Sequence, residues 1–75
     1  MAESARPKKR SLSIAGHRTS LSLEDAFWDG LKDVARAEGK TRAALIAEID
    51  SRRGVLGLSG AARLHVLAHF RDRAR

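Results

Sequence analysis

The feature that most constrains this chain is an alternation of polar and apolar side chains over residues 17–23, HRTSLSL. A period of two predicts a β-strand, with Thr19, Leu21 and Leu23 on one face. The opposite face carries Arg18, Ser20 and Ser22. A single strand cannot satisfy its own backbone hydrogen-bonding groups, so this strand needs a partner. The simplest partner is the same strand of a second copy, which predicts a homodimer joined by a two-stranded antiparallel sheet.

The size of the chain supports the same expectation. With 75 residues and no cysteine, it forms one small domain that has neither disulfides nor thiolate metal sites to stabilise it. Oligomerisation is then the usual route to stability. A chain this short is not expected to build an enzyme pocket, so no catalytic residue and no cofactor is predicted. No apolar run approaches membrane-spanning length and no signal peptide is visible, so a cytoplasmic protein is expected.

Positive charge is concentrated at the N-terminus. The first 18 residues contain five Lys/Arg and one acid, whereas the other 57 contain ten Lys/Arg and eight acids. A basic segment next to a strand suggests a polyanionic partner, most simply nucleic acid. The alternative is that the basic segment only keeps the protein soluble.

The N-terminal segment divides into two parts. Residues 1–10 are predicted to be a disordered basic arm, since they are small, polar and basic. Residues 11–15 alternate again, and either extend the strand or pack Leu12 and Ile14 onto a neighbouring surface. We favour a separate short extended segment with a break at Gly16.

Three helices are predicted after the strand. The first starts near Glu24, and the second is capped by Thr41. A loop at residues 54–58 is apolar enough to pack down, and Ser59 is expected to cap the third helix, which runs to about Arg73. The predicted apolar stripes are Phe27, Trp28, Leu31 and Val34 in the first helix, Leu45, Ile46 and Ile49 in the second, and Leu64, Leu67 and Phe70 in the third.

The order of strand, helix and helix resembles the ribbon-helix-helix family, the class of the Arc and methionine repressors. The resemblance covers about residues 17–53 and rests on the strand-to-helix junction TSLSLED and on the inter-helix segment GKTRAALI. The longer string from Ser11 to Trp28 is similar to a short bacterial branch of the family with an added C-terminal helix. The chain then divides into a basic arm (1–10), a ribbon-helix-helix core (11–53) and a loop with an additional helix (54–75).

The resemblance implies a mainly α fold with one strand per chain, in an intertwined homodimer whose ribbon enters the major groove of double-stranded DNA. The positions that it assigns to base contact are Arg18, Ser20 and Ser22, and those assigned to phosphates are Lys8, Lys9, Arg10, Lys40, Thr41 and Arg42. The dimer core would contain Thr19, Leu21, Leu23, Phe27, Trp28, Leu31, Val34, Leu45, Ile46 and Ile49. Serine discriminates bases weakly, so two of the three base-contact positions supply little specificity.

The expected function is that of a DNA-binding transcriptional regulator acting at the nucleoid. The fold can instead serve mainly for dimerisation, in a protein-interaction module or an antitoxin. Higher oligomers on DNA also remain open. His65 and His69 have a spacing that can bind a metal, with Asp72 nearby, but a solvated helix face is the expected arrangement and no metal site is predicted. His17 either contacts phosphate or is simply an exposed polar residue.

Overall fold

A computed structural model describes residues 6–74 of the chain. Two strands precede three helices, and their bounds are β1 (Lys8–Ile14), β2 (His17–Leu23), α1 (Asp25–Ala37), α2 (Arg42–Arg52) and α3 (Leu58–Arg73). Residues 1–5 of the expected basic arm lie outside the described range. Within that range, no helix is long and apolar enough to span a membrane.

The two strands form an antiparallel hairpin within one chain. One edge of β2 thus pairs with β1 of the same chain, and its pairing with a second copy stays a prediction. Lys8–Arg10 belong to β1, so the expectation that they are part of a disordered arm is wrong. The reason is the turn: Ala15 and Gly16 have φ angles of 51° and 84°. Positive φ at both central residues is typical of a type I′ turn, whose twist matches that of a two-residue hairpin. Residues 11–14 therefore belong to a full strand, and Gly16 is part of a tight turn rather than a break.

The inner face of the hairpin packs on the helices. Leu21 and Leu23 are buried there, and Ile14 joins them from β1. The rest of the core comes from the helices and consists of Trp28, Leu31, Val34, Ala35, Leu45, Ile46, Ile49, Ala61, Ala62 and Val66. The stripes predicted for the first two helices are confirmed, except that Phe27 is only half-buried.

A close approach at Gly30 packs α3 against α1. A Cβ atom added at Gly30 would lie 2.6 Å from Cγ1 of Val66, which is too short for any real contact. Glycine therefore allows the small side of α3, formed by Ala61, Ala62 and Val66, to come near the axis of α1.

The face of α3 expected to be buried is the exposed one. Leu64, Leu67 and Phe70 retain 55%, 50% and 42% of their accessible surface, so that prediction is wrong. The loop before α3 is also exposed at Val55 and Leu56, instead of packing down. The physical reason is the close contact with α1, which selects the face of small residues and turns the larger apolar residues outward.

Polar contacts attach α3 to the strand-to-helix junction. Ser59 does not cap the helix, which begins at Leu58 after Gly57. The Ser59 hydroxyl instead donates a hydrogen bond to the backbone carbonyl of Ser22 at 3.0 Å. One turn further on, the Arg63 guanidinium binds both carboxylate oxygens of Glu24, at 2.9 and 3.1 Å.

Candidate nucleic-acid interface

The outer face of the hairpin is a two-stranded polar surface, which we call the hairpin face. The strand register pairs Lys9 with Ser22, Ser11 with Ser20, and Ser13 with Arg18. Directly paired residues lie on the same side of an antiparallel sheet, so all six side chains share this face. Five are exposed and Ser22 is half-buried. The face therefore presents two cations and four hydroxyl groups, with no carboxylate among the six.

The three residues expected to contact bases lie on the hairpin face together. Arg18 is near the turn, whereas Ser22 is at the helical end, where its carbonyl already accepts the Ser59 hydroxyl. Two further positions, Ser11 and Ser13, were missed by the sequence analysis. The alternation of residues 11–14 did indicate a strand. The hairpin was missed because residue 15 is Ala, whereas Asn or Asp usually precedes the glycine of such a turn.

Arg10 and Arg42 each contact the ring of a buried tryptophan. Their Cζ atoms lie 4.8 and 5.4 Å from the centre of the Trp28 ring. The ring is 1% exposed, so its face is covered by these two guanidinium groups and their surroundings. The tryptophan ring thus brings together two positive charges that are distant in sequence, one from β1 and one from the start of α2.

Thr41 caps α2, as predicted. Its Oγ1 accepts the N–H of Ala44 at 3.0 Å. The amides of Arg42 and Ala43 lie in the first turn, where no carbonyl of the helix can pair with them. Together with the positive end of the helix dipole, they make this end of α2 suitable for an anion beside Arg42.

Lys40 has a different environment from the one expected of a phosphate ligand. Its Nζ lies 2.9 Å from Oε1 of Glu48 and 3.2 Å from Oε1 of Glu38. The hydrogen bond to Glu48, followed by that to Glu38, raises the pKa of the Lys40 ammonium. The same bond to Lys40 is the main cause that lowers the pKa of Glu48. Lys40 is thus a charge-compensated residue at the junction of α1 and α2.

The two remaining basic candidates come from β1. Lys8 lies on the inner side of the hairpin and pairs with Asp25 at 3.2 Å, where both side chains are partly exposed. Lys9 lies on the hairpin face itself, next to Ser22. Lys9 is therefore positioned with the residues expected to contact bases, and Lys8 with the start of α1.

Most residues expected in the dimer core are buried within a single chain. Leu21, Leu23, Leu31, Leu45 and Ile46 retain 0–1% of their accessible surface without any partner copy. Of the other five, Trp28, Val34 and Ile49 are also buried, while Thr19 and Phe27 are half-buried. Phe27 lies beneath Arg63 of α3, at 5.8 Å from the ring centre. The buried residues among them pack in one core formed by the hairpin and the helices of the same chain, so their burial does not require a second copy.

The histidines of α3 have protein neighbours. Nε2 of His65 is 3.6 Å from Oε2 of Glu38, and the His69 ring contacts Phe70 edge-on at 5.0 Å. Between residues 6 and 74, no three His, Asp or Glu side chains are grouped so that they could hold a metal ion.

Comparison with known proteins identifies the fold. Residues 7–70 match the sequence profile of a family described as "Ribbon-helix-helix domain". Among solved structures, the chain is similar to an uncharacterized protein from Bordetella pertussis Tohama I, with a TM-score of 0.82 and 28% sequence identity. That match covers 99% of this chain and 63% of the Bordetella chain, so this chain spans less than two thirds of its length. No curated protein is significantly similar in sequence.

Proposed function

Since this chain belongs to the ribbon-helix-helix family, we propose that it binds double-stranded DNA by placing its hairpin face in the major groove. Domains of this family are typical of DNA-binding regulators and antitoxins. The observation that carries the proposal is the hairpin face itself, with Lys9 and Arg18 among four serines and no acidic side chain. The major groove of B-DNA accommodates a two-stranded β-ribbon of this kind.

Arg18 supplies most of the base discrimination in this proposal. Its guanidinium can bind O6 and N7 of guanine together, an arrangement that a serine hydroxyl cannot reproduce. Ser20 and Ser22, with Ser11 and Ser13, contact bases or phosphates without strong preference. The expected specificity is therefore modest, and DNA shape contributes to it.

Phosphate contacts flank the hairpin face. Arg10 and Arg42 both contact the Trp28 ring, and Arg42 belongs to the first turn of α2, where the unpaired amides lie. We assign the main phosphate site to this pair and to Thr41, with Lys9 contributing from the hairpin. Lys40 acts indirectly, because its charge is compensated by Glu38 and Glu48.

A homodimer remains part of the proposal. Proteins of this family typically bind DNA as dimers. In a two-stranded sheet, each strand has one edge that faces away from its partner strand. Pairing β2 with β2 of a second copy would use such an edge and join two hairpins into one DNA-binding surface. We further propose that the protein is a transcriptional regulator, which acts on the chromosome and therefore in the cytoplasm.

Fluorescence anisotropy with a labelled mixed-sequence duplex tests DNA binding. We expect binding at about 50 mM salt, and a steep loss of affinity as the salt concentration rises. Arg18→Ala should relax the sequence preference obtained by selection from a random duplex pool. Lys32→Ala, which removes an exposed charge from α1, is the matched control and should leave that preference unchanged. Failure of the unmodified protein to bind any duplex at low salt would refute the proposal.

A further inference from the structure

The outward side of α3 forms an apolar surface that the DNA-binding proposal does not use. Leu64, Leu67 and Phe70 are exposed along the helix, and Val55 and Leu56 are exposed in the preceding loop, where Leu56 lines a groove together with Leu64. We call these five residues the α3 patch. Contiguous exposed apolar side chains of this kind typically mark an interaction site rather than ordinary surface.

A groove extends the α3 patch towards α2. Its volume is about 300 Å³, enough for one or two large apolar side chains. The lining residues are Glu48, Ile49, Arg52, Arg53, Leu56, Ala61, Leu64 and His65. Ile49 and Ala61 form its buried apolar floor, and Leu56 and Leu64 form part of its rim. The groove and patch thus form one continuous surface, because Leu56 and Leu64 belong to both.

The charges around this surface are mainly positive. Arg52 stands at the groove with 75% of its side chain exposed, and its distance to Glu48 is 3.7 Å. At the other end, Arg71 follows Leu64 and Leu67 by seven and four residues, and so shares their side of the helix. On α3, Arg71 and Arg73 outnumber the single acid, Asp72, and Arg63 is left out of this comparison because it binds Glu24.

We propose that the α3 patch and its groove dock an acidic amphipathic helix of another protein. An apolar stripe on that helix would cover Leu64, Leu67 and Phe70 and insert one side chain into the groove. Its flanking carboxylates would face Arg52 and Arg71. A second copy of this chain fits less well, because pairing two α3 patches would bring the same cations against one another.

The test uses the full chain and two synthetic helical peptides. Both carry leucine at positions i, i+3, i+4 and i+7, and they differ only in having glutamate or lysine at the flanking positions. Backbone amide NMR shifts locate the binding site, and anisotropy of the labelled peptide gives Kd. We expect the glutamate peptide to bind at least tenfold more tightly than the lysine peptide, with the largest shifts at Leu56, Leu64 and Phe70.

Three variants make the result specific. Leu64→Ser and Leu67→Ser should each weaken binding of the glutamate peptide about tenfold, with an unchanged circular dichroism spectrum because both side chains are already exposed. Arg52→Glu should reverse the charge preference, so that the lysine peptide gains affinity as the glutamate peptide loses it. Lys32→Glu on α1 is the matched charge control and should preserve the original preference.

Several outcomes would overturn the proposal. An acidic peptide can mimic DNA, and shifts confined to the hairpin at Lys9 and Arg18 would reveal that. Equal affinity for the two peptides would remove the role of charge. If Leu67→Ser instead abolishes a dimer seen by sedimentation, the α3 patch belongs to a second copy. DNA binding is measured separately, so a relaxed sequence preference in Arg18→Ala with peptide binding intact would keep the two proposals distinct.

Discussion

The indole N–H of Trp28 donates a hydrogen bond to the backbone carbonyl of Lys8, with 3.1 Å between Nε1 and the oxygen. This contact joins α1 to the first strand of the hairpin across 20 residues of sequence. The same ring lies under the guanidinium groups of Arg10 and Arg42. One side chain therefore fixes the hairpin to the helices and holds the candidate phosphate ligands in place.

Replacing Trp28 tests that role. We expect Trp28→Phe to lower the free energy of unfolding by about 1–3 kcal/mol, since the Lys8 carbonyl loses its donor and part of the buried ring is removed. Urea denaturation followed by circular dichroism measures the loss. Phe27→Leu, at a half-buried neighbour, should cost clearly less. Equal losses in the two variants would contradict a special role for Trp28.

The hairpin turn offers a stabilising change. Ala15 has a φ of 51°, a left-handed conformation that costs a non-glycine residue roughly 1 kcal/mol. Asn tolerates this conformation better and is preferred at the first central position of a type I′ turn. Ala15→Asn should therefore raise the thermal midpoint.

A substitution at Gly16 should have the opposite effect on stability and serves as the control for the turn. No atom lies within 4 Å of a Cβ placed there, so Gly16→Ala would be strained only by its φ of 84°. A lower thermal midpoint is expected. An unchanged midpoint in both turn variants would show that the turn does not limit stability.

The contact between α1 and α3 predicts a specific rescue. Gly30→Ala should destabilise the protein by about 1–3 kcal/mol through overpacking against Val66, despite a gain of about 1 kcal/mol in helix propensity. Val66→Ala removes the Cγ1 atom responsible for the clash. In the Val66→Ala background, the loss of unfolding free energy caused by Gly30→Ala should become smaller or turn into a gain. A double-mutant cycle of unfolding free energies measures this difference. Simple additivity would argue against a direct clash.

Acid should loosen the protein through two carboxyl groups. Hydrogen bonding to Arg63 lowers the pKa of Glu24, and hydrogen bonding to Lys40 lowers that of Glu48. A lowered folded-state pKa gives stability that is present above the ordinary value of 4.5 and is lost as the pH falls through the lowered value. The temperature of the thermal unfolding midpoint should therefore decrease as the pH is lowered below 4.5. Glu24→Gln should reduce that fall, whereas Asp29→Asn on the exposed side of α1 should not.

The salt dependence of DNA binding should distinguish two cations near the start of α2. Arg42→Ala should reduce the slope of log K against log salt by about 1, since one phosphate contact is lost. Lys40→Ala should leave the slope unchanged, because that ammonium neutralises Glu38 and Glu48. Equal reductions would show that Lys40 leaves its carboxylates when DNA binds.

The sequence predicted the elements that depend on local pattern. The alternation over residues 17–23 and the stripe through Trp28, Leu31 and Val34 both appear in the structure, and Thr41 caps α2. The pairing of β2 with β1 was missed because it depends on a turn whose first residue, Ala15, is atypical. Pairing of this kind depends on contacts between different elements, which the periodicity within one element does not determine.

The site was predictable to a similar degree. Arg18, Ser20 and Ser22 were placed on one face from spacing alone, and the structure adds Ser11 and Ser13 through the strand register. The environment of Lys40 could not be predicted, because Glu48 lies eight residues away and approaches only when α2 folds back past α1. Likewise, the exposed face of α3 follows from the fit between Gly30 and Val66, a contact between distant residues.

The intrachain hairpin has a consequence for how the DNA-binding surface is assembled. A two-residue turn closes in microseconds and requires no encounter between molecules. Closure of the hairpin is therefore independent of protein concentration, whereas the proposed pairing of two hairpins depends on it. The two steps that build the proposed DNA-binding surface would thus respond differently to the number of copies in the cell.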